Sequence, residues 1–164
     1  MWWLAILPFL AQGVAIFFDE TVFHLKRGLP KWERLGHPLD TLTVLACIAF
    51  ILWIPFSTTS LTLYICLALF STLFVTKDEF VHNEHCCAQE QWLHALLFIL
   101  HPITLATLGF IWPVTQPIPI ENWFLDNPSA LRLFLYGQLT LMSLFFLYQI
   151  IFWNFIWRPS RDQQ

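Results

Sequence analysis

Six histidines (His24, His37, His82, His85, His94 and His101) stand at or near the ends of long apolar segments. Asp19, Glu20, Glu33, Asp40, Asp78, Glu79, Glu84 and Glu90, eight of the eleven acidic residues, stand beside them. Imidazole nitrogen together with carboxylate oxygen is the ligand set of a transition-metal centre, and ionisable groups near bilayer depth are costly unless paired or metal-bound. Spacing sorts these residues into groups. Glu20 and His24 are four apart and share a face of any helix that carries both. His37 and Asp40 bracket the start of an apolar segment. Glu79, His82 and Cys86 fall near one face of a helical continuation, with His85 offset. Glu90, His94 and His101 form a stripe at spacings of four and seven. At about 1.5 Å rise per residue, His101 stands roughly 10 Å deeper than His94, so a site built on this stripe has depth.

Several of these residues also have an ordinary reading. Asp40 suits a helix cap, and Glu33, within Lys31-Trp32-Glu33-Arg34, reads as a solvated partner of a basic neighbour. Asp78 and Glu84 read as surface charges. His101 is either a ligand or a buried polar residue contacting a carbonyl.

The elements that must position them are membrane helices. The 164 residues are 57% hydrophobic and only 12% charged, about half the charge of a usual soluble domain, with seventeen Phe and nine Trp. The apolar residues come in blocks near the roughly 20 residues needed to cross a bilayer. The expected fold is an all-α integral membrane protein, one domain over 1–164, with a bundle of about five transmembrane helices. The spans run from about Trp2 to Phe18, Pro38 to Phe56, Leu61 to Thr76, Gln91 to Trp112 and Ala130 to Trp157. Pro38 suits a first helical position, and Pro102 should kink the fourth span. The start, Met1-Trp2-Trp3-Leu4, has no preceding positive charge and no evident cleavage site, so it reads as a retained span rather than a signal peptide.

Lys26, Arg27, Lys31, Arg34, Lys77, Arg158 and Arg161 fall on one side of this plan and only Arg132 on the other. The positive-inside bias puts the N-terminus outside, the C-terminus in the cytoplasm, and every histidine at or near the cytoplasmic face. A bacterial inner membrane is the expected location. The net charge of −3 and the lack of a basic tract argue against nucleic acid as a partner. Cys47 and Cys66 lie in apolar runs, and Cys86 and Cys87 in a histidine-rich loop, which gives no disulfide framework.

More ligands are present than one zinc requires, whereas two metals sharing nitrogen and oxygen donors would use about this many. Glu79-x-x-His82 matches the Glu-x-x-His element of carboxylate-bridged dinuclear sites in helical bundles. Iron suits such a shell when positions stay open for dioxygen. The candidate ligands are Glu20, His24, His37, Asp40, Glu79, His82, His85, Glu90, His94 and His101, with Asp40 either a ligand or an acceptor that fixes a histidine tautomer.

His82-Asn83-Glu84-His85-Cys86 resembles a His-x-x-His-His box with Cys86 at the third histidine. Glu20-x-x-x-His24 resembles a His-x-x-x-His box with a carboxylate at the first. These are boxes of the integral-membrane di-iron desaturases, hydroxylases and alkane monooxygenases. The resemblance implies dioxygen activation by two iron ions, hydrogen abstraction from a hydrophobic, lipid-like substrate drawn from among the membrane lipids, and electrons from a separate donor. The main alternative is a zinc-dependent membrane hydrolase of a lipid amide or ester. There the candidate catalytic carboxylates Glu79 and Glu90 would act as general base towards a metal-activated water. A metal carrier or transporter is a further alternative, since His and carboxylates within membranes also mark ion paths.

Overall fold

A computed structural model describes residues 1–78, 86–118 and 124–157. The described residues are helical with no strand, and five helices are long and apolar enough to cross a membrane. Helix α1 is the rod Trp2–Arg27. It opens with a 3-10 segment at Trp2–Ile6, runs as regular α-helix over Leu7–Phe18, and widens into a π-helical turn at Asp19–His24 before its last turn at Leu25–Arg27. Helix α2 spans Lys31–Trp53, α3 Thr58–Val75, α4 Ala88–Ile111 and α5 Pro128–Ile151. A 3-10 turn, Trp112–Thr115, extends α4, and a π-helical turn, Phe152–Ile156, extends α5.

Two boundaries differ from the sequence expectation, and both differences build the site. Helix α1 does not end at Phe18 but continues through the acidic pair and His24. Helix α2 starts at Lys31, seven residues before Pro38, so Pro38 lies inside the helix and Asp40 is not in the first turn. The early start is held from outside the helix. Arg27 reaches Glu33 in the first turn, and Arg34 Nε donates to the Leu29 carbonyl at 2.7 Å. The chain reverses between α1 and α2 at Gly28, which has φ 74°. The Trp157 indole stands where a β-carbon would be, so this turn accepts only glycine. The other ends follow local chemistry. Ser57 caps α3 in a reciprocal pair with Ser60, and Asn127 accepts from the Ala130 N–H at the start of α5. Helix α4 stays continuous through Pro102.

Helix α1 packs along α4, α5 along α2, and α3 against both α2 and α4. The core is aromatic and aliphatic. Trp112 is fully buried among Phe50, Phe56 and Tyr64, donates Nε1–H to the Ile54 carbonyl, and rests near Leu108, Leu131 and Leu135. Tyr64 reaches across to donate to the Leu105 carbonyl at 2.6 Å, and its ring lies so close to Gly109 that a β-carbon there would sit 2.9 Å from it. Large apolar side chains such as Phe17, Leu73, Leu133 and Leu144 point outward, as expected of a surface facing hydrocarbon rather than water. At one end of the bundle the termini of all five helices carry polar groups that meet. Lys77 joins Asp40, Arg27 joins Glu90, and Tyr148 joins Glu20.

Candidate metal centre

The π-helical turn of α1 is the pivot. A turn with i→i+5 bonding brings residues five apart onto one side, whereas a regular α-helix would set them about 140° apart. Asp19 and Glu20 therefore both reach His24. Glu20 Oε2 lies 3.1 Å from His24 Nδ1, and Asp19 Oδ2 lies 3.2 Å from His24 Nε2. From α4, His94 Nε2 lies 3.1 Å from each oxygen of Asp19, and Glu90 Oε1 lies 3.8 Å from His24 Nε2. From α2, the His37 ring stacks on His24 with centroids 5.0 Å apart. All of these side chains except that of His37 are buried, as is Glu33.

Two overlapping groups of donor atoms result, in each of which the atoms lie within 4.8 Å of one another. They are Asp19, His24, Glu90 and His94, and His24, Glu33 and His37. His24 belongs to both. A carboxylate can only accept, so Glu20 fixes the proton of neutral His24 on Nδ1 and leaves the Nε2 lone pair facing Asp19 and Glu90. That nitrogen is buried and makes no hydrogen bond. Its separations from the two carboxylates bracket the ~3.3 Å between neighbouring ligands around a tetrahedral ion with bonds of about 2.0 Å. The arrangement is that of a carboxylate orienting a metal-binding histidine.

Glu20 is itself fully engaged. Its Oε1 accepts from Tyr148 O–H at 2.6 Å and from Trp153 Nε1–H at 2.9 Å. Glu20 thus touches the far side of the His24 ring rather than joining either donor group. Converting Glu20 to Gln should lower metal affinity by about 10–100-fold without abolishing binding at saturating metal, the usual cost of losing such an orienting partner. Competition with a chelating dye measures this, and unchanged affinity would remove Glu20 from the account.

Charge argues the same way. Asp19, Glu20, Glu33 and Glu90 are four buried carboxylates, and Arg27 contacts two of them, Glu33 and Glu90. Its Nη2 lies 2.9 Å from both Glu33 Oε2 and Glu90 Oε1. Among the described residues negative charge is in excess there, and burial makes such an excess costly unless protons or metal cations join it.

The sequence-derived candidates divide accordingly. His24, His37, Glu90 and His94 come together, with Glu20 behind His24. Glu79, His82 and His85 lie outside the described residues. Asp40 pairs with Lys77 at 2.6 Å. His101 lies in neither donor group and instead contacts Gln12 and Ser71. Asp19 and Glu33 were not among the proposed ligands, and the structure places both in the donor groups. The solvated reading of Glu33 is overturned, since its side chain is 0% exposed and its partner is Arg27 rather than an adjacent residue. At the edge of the site, burial pushes the Cys86 thiol above its ordinary value, which disfavours a ready thiolate there.

The donor groups open into the bundle. A cavity of about 120 Å³ has Asp19, His24 and His94 at one end and Leu97, Phe98 and Phe145 further in. No protein-family model matches the chain, and no curated protein or solved structure matches it.

Proposed function

We propose that this is a membrane-embedded, metal-dependent oxidoreductase with a non-haem dinuclear iron centre, acting on a hydrophobic, lipid-like substrate. One observation carries the reading: a buried, carboxylate-rich set of donors opens onto an apolar cavity. Three imidazoles and three carboxylates in the two overlapping donor groups exceed the four donors of a zinc site, and a mixed shell of nitrogen and oxygen donors suits iron. Asp19, His24, Glu90 and His94 would hold one ion. Glu33 and His37 begin the set for a second, and the sequence offers Glu79, His82 and His85 to complete it. Bound iron would supply the activation of dioxygen.

The protein's own groups do the rest. Glu20 holds the His24 ring and its tautomer, Tyr148 and Trp153 hold Glu20, and Arg27 offsets the charge of Glu33 and Glu90. The apolar walls exclude water and admit a hydrocarbon. The reaction class is insertion of one oxygen atom into a C–H bond, the other atom leaving as water. Two electrons come from a separate donor and two protons from solvent. Purified, iron-loaded and chemically reduced protein should transfer label from isotopic dioxygen into a membrane lipid extract, and His94→Ala should abolish the transfer. Iron-loaded, reduced protein that leaves the lipid fraction unlabelled would contradict the reaction class.

A second reading rests on the four-residue group alone: Asp19, His24 and His94 would hold a single catalytic zinc ion and leave Glu90 as general base towards its bound water. A zinc-only protein that releases fatty acid from a lipid ester or amide would establish it.

A further inference from the structure

The cavity at the donor groups continues into a second one of about 310 Å³, and Gln12, Ile16, Val44 and Met142 line both. This second space lies between α1 and α5. Those helices meet where the Phe9 and Phe134 rings pack edge to face at 5.2 Å and again where Glu20 meets Tyr148 and Trp153. The two contacts are eleven residues apart on α1, about 16 Å of helix. Leu10, Val14, Phe17 and Leu141 line the space between them while exposing about half or more of their surface, so it opens sideways. Gly13 also lines it, and a β-carbon at Gly13 would meet nothing within 4 Å.

Among the described residues that line this apolar gap, two buried polar atoms make no hydrogen bond, the Thr104 hydroxyl and the Gln12 side-chain oxygen, and only the second is an acceptor with no proton of its own. The Thr43 hydroxyl donates to the Asp40 carbonyl at 2.8 Å. Its single proton being used there, Ser71 must donate to Thr43, at 2.7 Å, and accept from His101 Nε2–H, at 3.0 Å. His101 Nδ1 is then an acceptor and takes a proton from the Gln12 amide nitrogen at 3.3 Å. The amide is thereby oriented, and Gln12 Oε1 is left buried with no hydrogen bond. A buried acceptor left unpaired is costly, and a donor in the cavity would remove that cost.

We infer that a single hydrocarbon chain bearing a hydroxyl group enters sideways from the bilayer between α1 and α5, and that its hydroxyl donates to Gln12 Oε1. The assignment rests on the oxidoreductase reading and supplies its substrate class: a single-chain lipid alcohol, not a two-chain phospholipid. The space is of the size that takes one small apolar ligand. Gln12 and Asp19 are seven apart on one face of α1, so the hydroxyl is held roughly 10 Å below the donor groups and fixes which part of the chain lies beside them.

The probe is 1-hexadecanol carrying a mid-chain photoreactive diazirine, compared with the matching alkane, on iron-loaded full-length protein in phosphatidylcholine nanodiscs. Crosslinks should map to the cavity walls, among them Val14 and Met142. Gly13→Phe, which has room for its side chain, should lower labelling at least tenfold with iron content unchanged. Gln12→Leu should reduce labelling by the alcohol to that by the alkane. Equal labelling of wild type and Gly13→Phe, or wild-type crosslinks confined to the outer face of α3, would overturn the inference. Cavity labelling by a protein that holds no iron would support the entry route while removing the metal reading on which the reaction depends.

Discussion

Replacing His24 with alanine should empty the proposed centre: metal per chain is expected below a tenth of the wild-type value while the helical circular dichroism stays the same. The size of the effect follows from position. His24 is the one residue common to both donor groups, and its Nε2 stands 3.2 Å from Asp19 and 3.8 Å from Glu90. Without the ring, Asp19 and Glu90 lose the nitrogen that converges with them, and His37 loses the ring it stacks on. His101→Ala is the matched control, because His101 is a buried histidine of the same bundle that contacts Gln12 and Ser71 rather than the donor groups. It should keep its metal. Equal metal content in the two variants, measured by elemental analysis of detergent-purified protein, would remove His24 from the centre.

Arg27→Ala should be the most destabilising single change near the site, by about 3–5 kcal/mol, the usual cost of stripping the partner from buried charge. Glu33 and Glu90 are 0% and 2% exposed, and one guanidinium nitrogen serves both. For a chain of this size that loss corresponds to roughly 10 °C in Tm. The ion pair also ties the last turn of α1 to the first turn of α2 and the start of α4, so its loss should loosen the turns that carry His24 and His37. Adding Glu33→Gln to Arg27→Ala should recover part of the stability, because one unpaired charge is then gone. A double-mutant cycle on thermal unfolding measures the coupling. A single mutant within about 1 kcal/mol of wild type would mean that solvent, not Arg27, compensates these carboxylates.

The five apolar segments were legible because hydropathy over about twenty residues depends on little besides composition. The gathering of polar groups at one end was legible from the alternation of loops. Glu20 with His24, and Glu90 with His94, were legible because a spacing of four survives in almost any helix. Asp19 was not, because it joins His24 only through a π-helical turn that no hydrophobic pattern announces. Glu33 was hidden for a different reason. Pro38 carries a strong helix-start signal, and the contacts of Arg27 with Glu33, six residues apart across the Gly28 turn, and of Arg34 with the Leu29 carbonyl hold a helix that begins earlier. His94 and His101 share one continuous helix, as their spacing suggested, but the His101 neighbours Gln12 and Ser71 lie 89 and 30 residues away and left no mark in the sequence around it.

The most direct test of the centre is the metal content of the wild-type protein, purified without chelator from cells grown with iron and zinc both present. About two equivalents of iron per chain are expected, bound tightly enough to survive gel filtration. Protein that emerges folded and free of any transition metal, and that takes up none when iron is added back anaerobically, would contradict that expectation.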